Sequence, residues 1–305
     1  MNRIKRFFFL SAAFLLLASS PGLCEKISLK ISYNTASVSG GDVNEWIRSY
    51  NTQWNDWQSY INGQLDGQFN PLTYGPKYEV ELSIPLIWGL ALNLSGGHFS
   101  SSEEGSFTLL SGIKNQTETD FLRNKIRGIP IKIGFSYRYP IPYVDNLFIL
   151  GGLGRHITFI KYESTENYEL EIVSFGQSFS YFSKKEYEYN SEALGLYATV
   201  GVEYDLIKQV AIVVEAEKVW AKADGFKGPF NREDLRKFPG KEIREIDSGE
   251  ASLYFYENKP SWSDKTYSAL AGYKTRPEDA SFSSIRQGEF DLGTFSFKIG
   301  IRFKF

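Results

Sequence analysis

The feature that most constrains the fold is the alternation in the final segment, residues 293–305, which reads GTFSFKIGIRFKF. Successive side chains of a β-strand point to opposite faces, so one face of this segment is apolar and the other is polar. The apolar face carries Phe295, Phe297, Ile299, Ile301, Phe303 and Phe305, and the polar face carries the cations Lys298, Arg302 and Lys304. An unbroken apolar face opposite charged side chains is typical of a barrel wall with lipid outside and a polar interior.

The last eight residues, KIGIRFKF, resemble the C-terminal assembly signal of bacterial outer-membrane β-barrels. Lys298 is the polar residue, Gly300 follows it by two positions, and Phe303 and Phe305 are two aromatics spaced by one. The resemblance is to the small OmpA/OmpX/OmpW-like barrel superfamily. It implies a bacterial outer-membrane location, contact with outer-membrane lipid, and recognition of the last strand by the outer-membrane assembly machinery. It implies no particular ligand.

Length and composition agree with this fold class. A chain of 305 residues with 16% aromatic residues has the length of one β-barrel with long loops. Beyond the N-terminus no run approaches the roughly 20 apolar residues that a spanning helix needs. We therefore predict an all-β, antiparallel transmembrane β-barrel.

Residues 1–24 have the pattern of a secretory signal peptide, because cations precede the apolar run 7–18 and small residues follow it. Cleavage is expected after Cys24, which leaves residues 25–305 as the barrel domain. The alternative is a lipoprotein anchored at Cys24, although Leu23 occupies a position where that motif requires a small residue. Cleavage would shift the formal charge from −2 to −5, and an acidic exported chain offers no electrostatic basis for binding nucleic acid.

Eight segments are predicted to be the barrel strands, and all but the fifth alternate clearly with period two; Gly151, Gly152 and Gly154 blur the alternation in that one. The eight segments are residues 27–33, 77–86, 90–95, 129–139, 147–162, 194–204, 212–220 and 293–305. The connections alternate between long and short, as in barrels with long extracellular loops, short periplasmic turns and periplasmic termini. The long connections are residues 40–75, 100–125, 164–190 and 223–287. Residues 168–174 and 179–189 could instead extend the flanking strands outward as a hairpin. Segments 251–257 and 265–273 also look strand-like, so a count of ten is the alternative.

Two local features concern the predicted wall. Tyr33, Tyr162 and Trp220 are expected in an aromatic girdle at the outer membrane interface. Pro130 lies within the fourth predicted strand, where it cannot donate a backbone hydrogen bond, and it marks either a bulge or the end of regular pairing.

The first long connection contains a predicted amphipathic helix over residues 43–62. Its aromatic stripe repeats every three or four residues and comprises Trp46, Tyr50, Trp54 and Trp57. Asp42 and Glu45 resemble a capping box at its start. Two interpretations stay open: the stripe covers the barrel mouth or the membrane interface, or it forms an exposed surface for an unknown extracellular ligand or partner.

The polar faces of the predicted strands carry many charges. The inward set is Lys30, Glu79, Glu81, Lys132, Arg138, Glu203, Glu215, Glu217, Lys298, Arg302 and Lys304. An eight-stranded barrel is only wide enough for its own side chains, so we expect these charges to pair across strands without a continuous channel. A narrow channel for small polar or amphiphilic solutes is the alternative, and ten strands would favour it.

Enzyme chemistry has little support. The chain has two histidines, and after cleavage it would have no cysteine, so no cofactor or metal site is predicted. His98 and Ser100, with Glu103 or Glu104 nearby, are similar to the His-x-Ser element of outer-membrane lipid A deacylases. The sequence therefore favours a structural or surface-interaction role, followed by the channel and, third, a lipid-modifying enzyme.

Overall fold

The computed structural model describes residues 27–37, 40–111, 115–174, 176–293 and 295–305. The predicted signal peptide and its cleavage site therefore lie outside the described residues. Most of the described chain is β-strand, and every strand pairing in it is antiparallel, which confirms the all-β antiparallel prediction. In these ranges no helix is both long enough and apolar enough to cross a membrane.

The helix and strands are labelled in chain order. The helix, α1, spans Asp42–Ile61. The strands are β1 Ser28–Ser37, β2 Gly63–Gln68, β3 Tyr74–Ile87, β4 Leu90–Ser111, β5 Gln116–Pro140, β6 Leu147–Ser174, β7 Gln177–Ile207, β8 Val210–Ala223, β9 Lys227–Phe238, β10 Lys241–Asn258, β11 Tyr267–Tyr273, β12 Phe282–Gln287, β13 Phe290–Asp291 and β14 Phe295–Lys304.

Eight strands pair in a sequence that returns to its start, and we call them the ring. The order is β1, β3, β4, β5, β6, β7, β8 and β14, and β14 pairs again with β1. Ile31 of β1 lies opposite Val80 on one side and Ile301 on the other, so the apolar side chains of neighbouring strands share the outward face. The strands are uneven, from 10 residues in β1 to 31 in β7.

The two ends of the ring differ. At one end the connections are short: residues 88–89, 141–146 and 208–209. At the other end β4 to β7 continue beyond the ends of the shorter strands β1, β3, β8 and β14, and these extensions carry additional strands. β7 pairs with β8 along residues 193–207 and with β9 along residues 180–190, and β9 leads to β10, β11 and β12. With β2, β13 and α1, these extensions form what we call the outer region.

The segment 100–125, predicted to be a loop, is largely strand, as is much of 223–287. In 164–190 the alternative is confirmed, because β6 and β7 extend outward as a hairpin. The alternation in these segments is weak because many side chains on both faces are polar, so the period-two signal is lost. Backbone pairing with neighbouring strands supplies the hydrogen bonds instead. The strand-like segments 251–257 and 265–273 correspond to β10 and β11, which belong to the outer region and not to the ring.

The predicted helix is confirmed, with ends within one residue of the expected bounds. The predicted capping box is wrong, because Gly41 is the N-cap and Asp42 lies in the first turn. The Asp42 carboxylate instead binds the Arg286 guanidinium at 2.6 Å and accepts the Glu289 backbone N–H at 2.7 Å. This contact joins the start of the helix to the last part of the outer region.

Two features of the wall have a local cause. The β4–β5 pairing stops at Gly96 and Ile131 and resumes in the same register at Phe99 and Gly128, because Pro130 has no N–H to donate. Tyr162 is not in the outer girdle. Its side chain is 2% exposed and points inward, where its hydroxyl donates to Asn124 Oδ1 at 2.7 Å. Tyr33 and Trp220 lie outward and exposed, and their place in a girdle stays a prediction.

Candidate functional site

The interior of the ring holds a network of buried ion pairs. Its centre is formed by Glu79 of β3 and Glu217 of β8, which are 3% and 0% exposed. Lys77, Lys132 and Lys298 approach both carboxylates, with Lys77 Nζ 2.9 Å from Glu217 Oε1 and Lys298 Nζ 3.0 Å from Glu79 Oε1. Three cations on three strands thus share two carboxylates contributed by two strands.

A second cluster of ion pairs lies towards the end of the ring with short turns. Lys30 Nζ lies 2.7 Å from Glu215 and 3.0 Å from Glu81. Arg302 bridges Glu81 and Glu203, with its Nη1 2.6 Å from the Glu203 carboxylate.

At that end Arg138 lies 2.9 Å from Glu203 and 3.0 Å from Asp205, and Lys304 lies 2.7 Å from Glu203. The structure therefore places all the predicted inward charges in two clusters of ion pairs inside the ring, which we together call the interior network. Lys77 and Asp205 join it without having been singled out, although Lys77 has the inward parity of its strand. Arg138 is the least buried of the predicted set, with its side chain 24% exposed.

The residues of the predicted assembly signal lie on both faces of β14. Lys298 belongs to the interior network, and Gly300 packs inward beside Ser32 of β1. Phe303 and Phe305 point outward and are 36% and 71% exposed.

The aromatic stripe of α1 lies against the outer region. Trp46 and Trp54 are 8% and 6% exposed, so they are not the exposed surface that one interpretation required. Tyr50 stacks on Phe69 with ring centroids 5.5 Å apart, and Trp54 packs on Phe107 at the same distance. Tyr50 and Trp57 are half-buried. The stripe is therefore mainly the core of the outer region.

Beside this core is a cavity of about 180 Å³, which we call the aromatic cavity. Its lining is Tyr50, Gln53, Trp54, Trp57, Glu118 and Trp262. Glu118 Oε1 accepts the Trp57 indole N–H at 3.1 Å, and Glu118 Oε2 accepts the Tyr168 hydroxyl at 2.9 Å. Glu118 and Trp262 were not predicted as site residues, because neither belongs to a recognisable sequence motif.

Other carboxylates lie close to the aromatic cavity. Asp120 is fully buried, and its Oδ2 accepts the Tyr50 hydroxyl at 2.6 Å. Burial and the neighbouring Glu166 carboxylate raise the pKa of Asp120 to about 7. Burial and Asp120 hold the pKa of Tyr50 well above its ordinary value. Glu166 is paired with Lys185 at 2.8 Å. The cluster therefore disfavours further negative charge.

A groove of about 570 Å³ lies on the outward side of the wall, and its lining includes His98, Arg127, Ile129, Phe159 and Lys161. Ser100 and Glu104 share the outward parity of His98 on β4, whereas Glu103 has the opposite parity. No hydrogen bond joins His98, Ser100 and Glu104 within the described ranges. The geometry therefore gives no support to the His-x-Ser hypothesis.

Comparisons with known proteins find likeness only to solved structures. No family model matches the chain, and no curated protein matches its sequence. OprG from Pseudomonas aeruginosa, an outer membrane protein, is 11% identical with a TM-score of 0.40 over 92% of this chain and 96% of that one. A major outer membrane protein from Thermus thermophilus is 13% identical with a TM-score of 0.32 over 93% and 100%. The outer membrane protease OmpT from Escherichia coli is 10% identical with a TM-score of 0.25 over 94% and 100%. Likeness this distant establishes neither a family nor a function.

Proposed function

We propose that the chain is an eight-stranded outer-membrane β-barrel that holds a folded interaction domain, the outer region, at the cell surface. The observation that carries this proposal is the interior network: charged side chains fill the ring and neutralise one another. Paired charges of this kind close a lumen and make the ring a scaffold.

The outward face supports the membrane location. Apolar side chains on it are strongly exposed: Phe297 is 69% exposed, Leu196 is 50% exposed and Ile133 is 44% exposed. A wall that is apolar outside and charged inside inverts the arrangement of a water-soluble protein and suits a lipid surrounding. On this proposal the partners are outer-membrane lipid along the wall, the assembly machinery at β14, and an extracellular ligand at the outer region.

Cysteine labelling tests the orientation. Gln177 is exposed at the tip of the β6–β7 hairpin, and Asp145 is exposed in a short turn at the opposite end. We expect a membrane-impermeant maleimide to label Gln177→Cys in intact cells, and to label Asp145→Cys only after the outer membrane is permeabilised. Labelling of Asp145→Cys alone in intact cells would contradict a surface-exposed outer region.

Planar-bilayer conductance separates the scaffold from the channel. We expect no steady conductance from the refolded protein, because ion pairs occupy the interior. Conductance steps from the wild type that change in a Glu215→Gln/Glu217→Gln variant would contradict the scaffold and support a narrow channel. Circular dichroism of each sample verifies that silent protein is folded.

A further inference from the structure

The aromatic cavity has the composition of a cation site. Four aromatic side chains, Tyr50, Trp54, Trp57 and Trp262, line it together with one carboxylate, Glu118. The face of an aromatic ring attracts a cation, with tryptophan the strongest partner. The Trp57 and Trp262 rings are in tilted contact, with their centroids 5.1 Å apart at 56°, and both line the cavity.

Glu118 has no cationic partner among the described residues. Its residue is 5% exposed, and its hydrogen-bond donors are the Trp57 indole, the Tyr168 hydroxyl and the Gln116 amide, all of which are neutral. No lysine or arginine pairs with it in the described part of the chain. A buried carboxylate is stabilised by an opposite charge, so a bound cation would complete this site.

Two neighbouring groups add to the case. Asp120 is fully buried, and its Oδ1 has no hydrogen-bond partner among the described residues. Glu118, Asp120 and Glu166 together face one close ammonium, that of Lys185. Lys185 can neutralise only one of these carboxylates, so the surroundings carry a net negative charge even when Asp120 holds its proton.

The number of donors selects the kind of cation. A primary ammonium brings three N–H donors that need acceptors, whereas a carboxylate offers about four acceptor sites in total. Glu118 already accepts three hydrogen bonds. A quaternary ammonium has no N–H to satisfy and presents methyl groups to the rings, and a cavity of about 180 Å³ holds only a small ligand.

Resting on the proposed surface-interaction role, we propose that the aromatic cavity binds a small free solute bearing a quaternary ammonium group, of the choline type. The aromatic rings contact the methyl groups, and Glu118 balances the charge. A phosphocholine headgroup has the same cation, but its phosphate would meet the carboxylate cluster, so it should bind more weakly.

The test is calorimetric titration of the full refolded protein in maltoside micelles with choline chloride, tetramethylammonium chloride and phosphocholine, against sodium chloride at equal ionic strength. We expect saturable binding of choline and tetramethylammonium and weaker binding of phosphocholine. Glu118→Gln and Trp262→Leu should each lower the choline affinity about tenfold or more. Glu169→Gln, an exposed carboxylate on β6, and Trp88→Leu, an exposed indole in a short turn, are the matched controls.

Each other outcome overturns the inference. Folded wild type that gives no choline signal, or Glu118→Gln that binds as tightly as Glu169→Gln, would remove the site. Tighter binding of phosphocholine than of choline would contradict the assignment, because the carboxylate cluster should disfavour the phosphate. The proposed function is still supported if choline does not bind but Gln177→Cys is labelled in intact cells and the protein shows no conductance in bilayers. The two proposals can therefore be refuted independently.

Discussion

Replacing Glu217 by glutamine should destabilise the protein strongly. The Glu217 side chain is fully buried and contacts the ammonium groups of Lys77, Lys132 and Lys298. The glutamine amide has nearly the same shape but no charge. Glu79 then becomes the only carboxylate that the described structure places against these three lysines.

The magnitude follows from burial. Removing one partner of a buried ion pair costs about 3–5 kcal/mol, whereas an exposed substitution usually changes stability by less than about 0.5 kcal/mol. Total stabilities are about 5–15 kcal/mol, so the loss is a large share of the free energy of unfolding. Glu250→Gln, exposed on β10, is the matched control for the loss of one carboxylate.

A second substitution isolates the cause. Lys132→Met added to Glu217→Gln removes one of the three cations together with the carboxylate, so less charge is left unpaired. We expect the double variant to be more stable than the sum of the single changes predicts, by about 0.5–3 kcal/mol for contacting groups. Strict additivity would mean that the two side chains do not interact.

Urea unfolding in micelles, followed by tryptophan fluorescence, measures these differences. The Glu217→Gln midpoint should fall well below those of the wild type and of Glu250→Gln. A Glu217→Gln midpoint equal to that of Glu250→Gln would refute the buried network and, with it, the filled interior that supports the scaffold proposal.

Two other predictions concern the outer region and the wall. Because burial raises the folded-state pKa of Asp120 from 3.8 to about 7, the unfolded chain loses this proton first as pH rises, and the free energy of unfolding should fall between pH 4 and 7 by up to about 1.4 kcal/mol per pH unit. Asp120→Asn should remove this fall in pH-dependent urea midpoints, and exposed Asp66→Asn should keep it; an unchanged slope in Asp120→Asn would contradict the assignment. Gly154→Ala should cost about 1–3 kcal/mol, since its Cβ would lie 2.7 Å from the Tyr197 ring, whereas Gly151→Ala has open space and should be near neutral in the same assay. Equal stability of the two glycine variants would show that the residues around Gly154 shift to accommodate the added methyl group.

The strands of the ring could be located from sequence because each carries its own signal. A strand between an apolar surrounding and a polar interior alternates with period two, whatever its partners are, as residues 129–139 and 293–305 show. The helix was visible for a similar reason, because its aromatic residues repeat with the helical period. Its capping was misassigned because Asp42 finds Arg286, a residue 244 positions away.

Partners could not be read from sequence. Alternation indicates that Glu217 and Lys132 both point inward, but only the order of strands around the ring brings them into contact. The same holds for the aromatic cavity, where Glu118 and Trp262 meet residues of α1 from distant strands and loops. Some outer strands, such as those in residues 100–125 and 227–238, escaped detection, since their hydrogen bonds depend on neighbouring strands and not on a local pattern.

The sequence alone therefore determined the periodicities of this protein, which set the ring strands, their two faces and the helix. Tertiary structure decided which charges pair, how far the strands continue beyond the ring, and which side of the aromatic stripe is buried. The physical reason is that periodicity is a local property, set by the geometry of one strand or helix. Ion pairs and cavities instead arise from contacts between elements far apart in the chain.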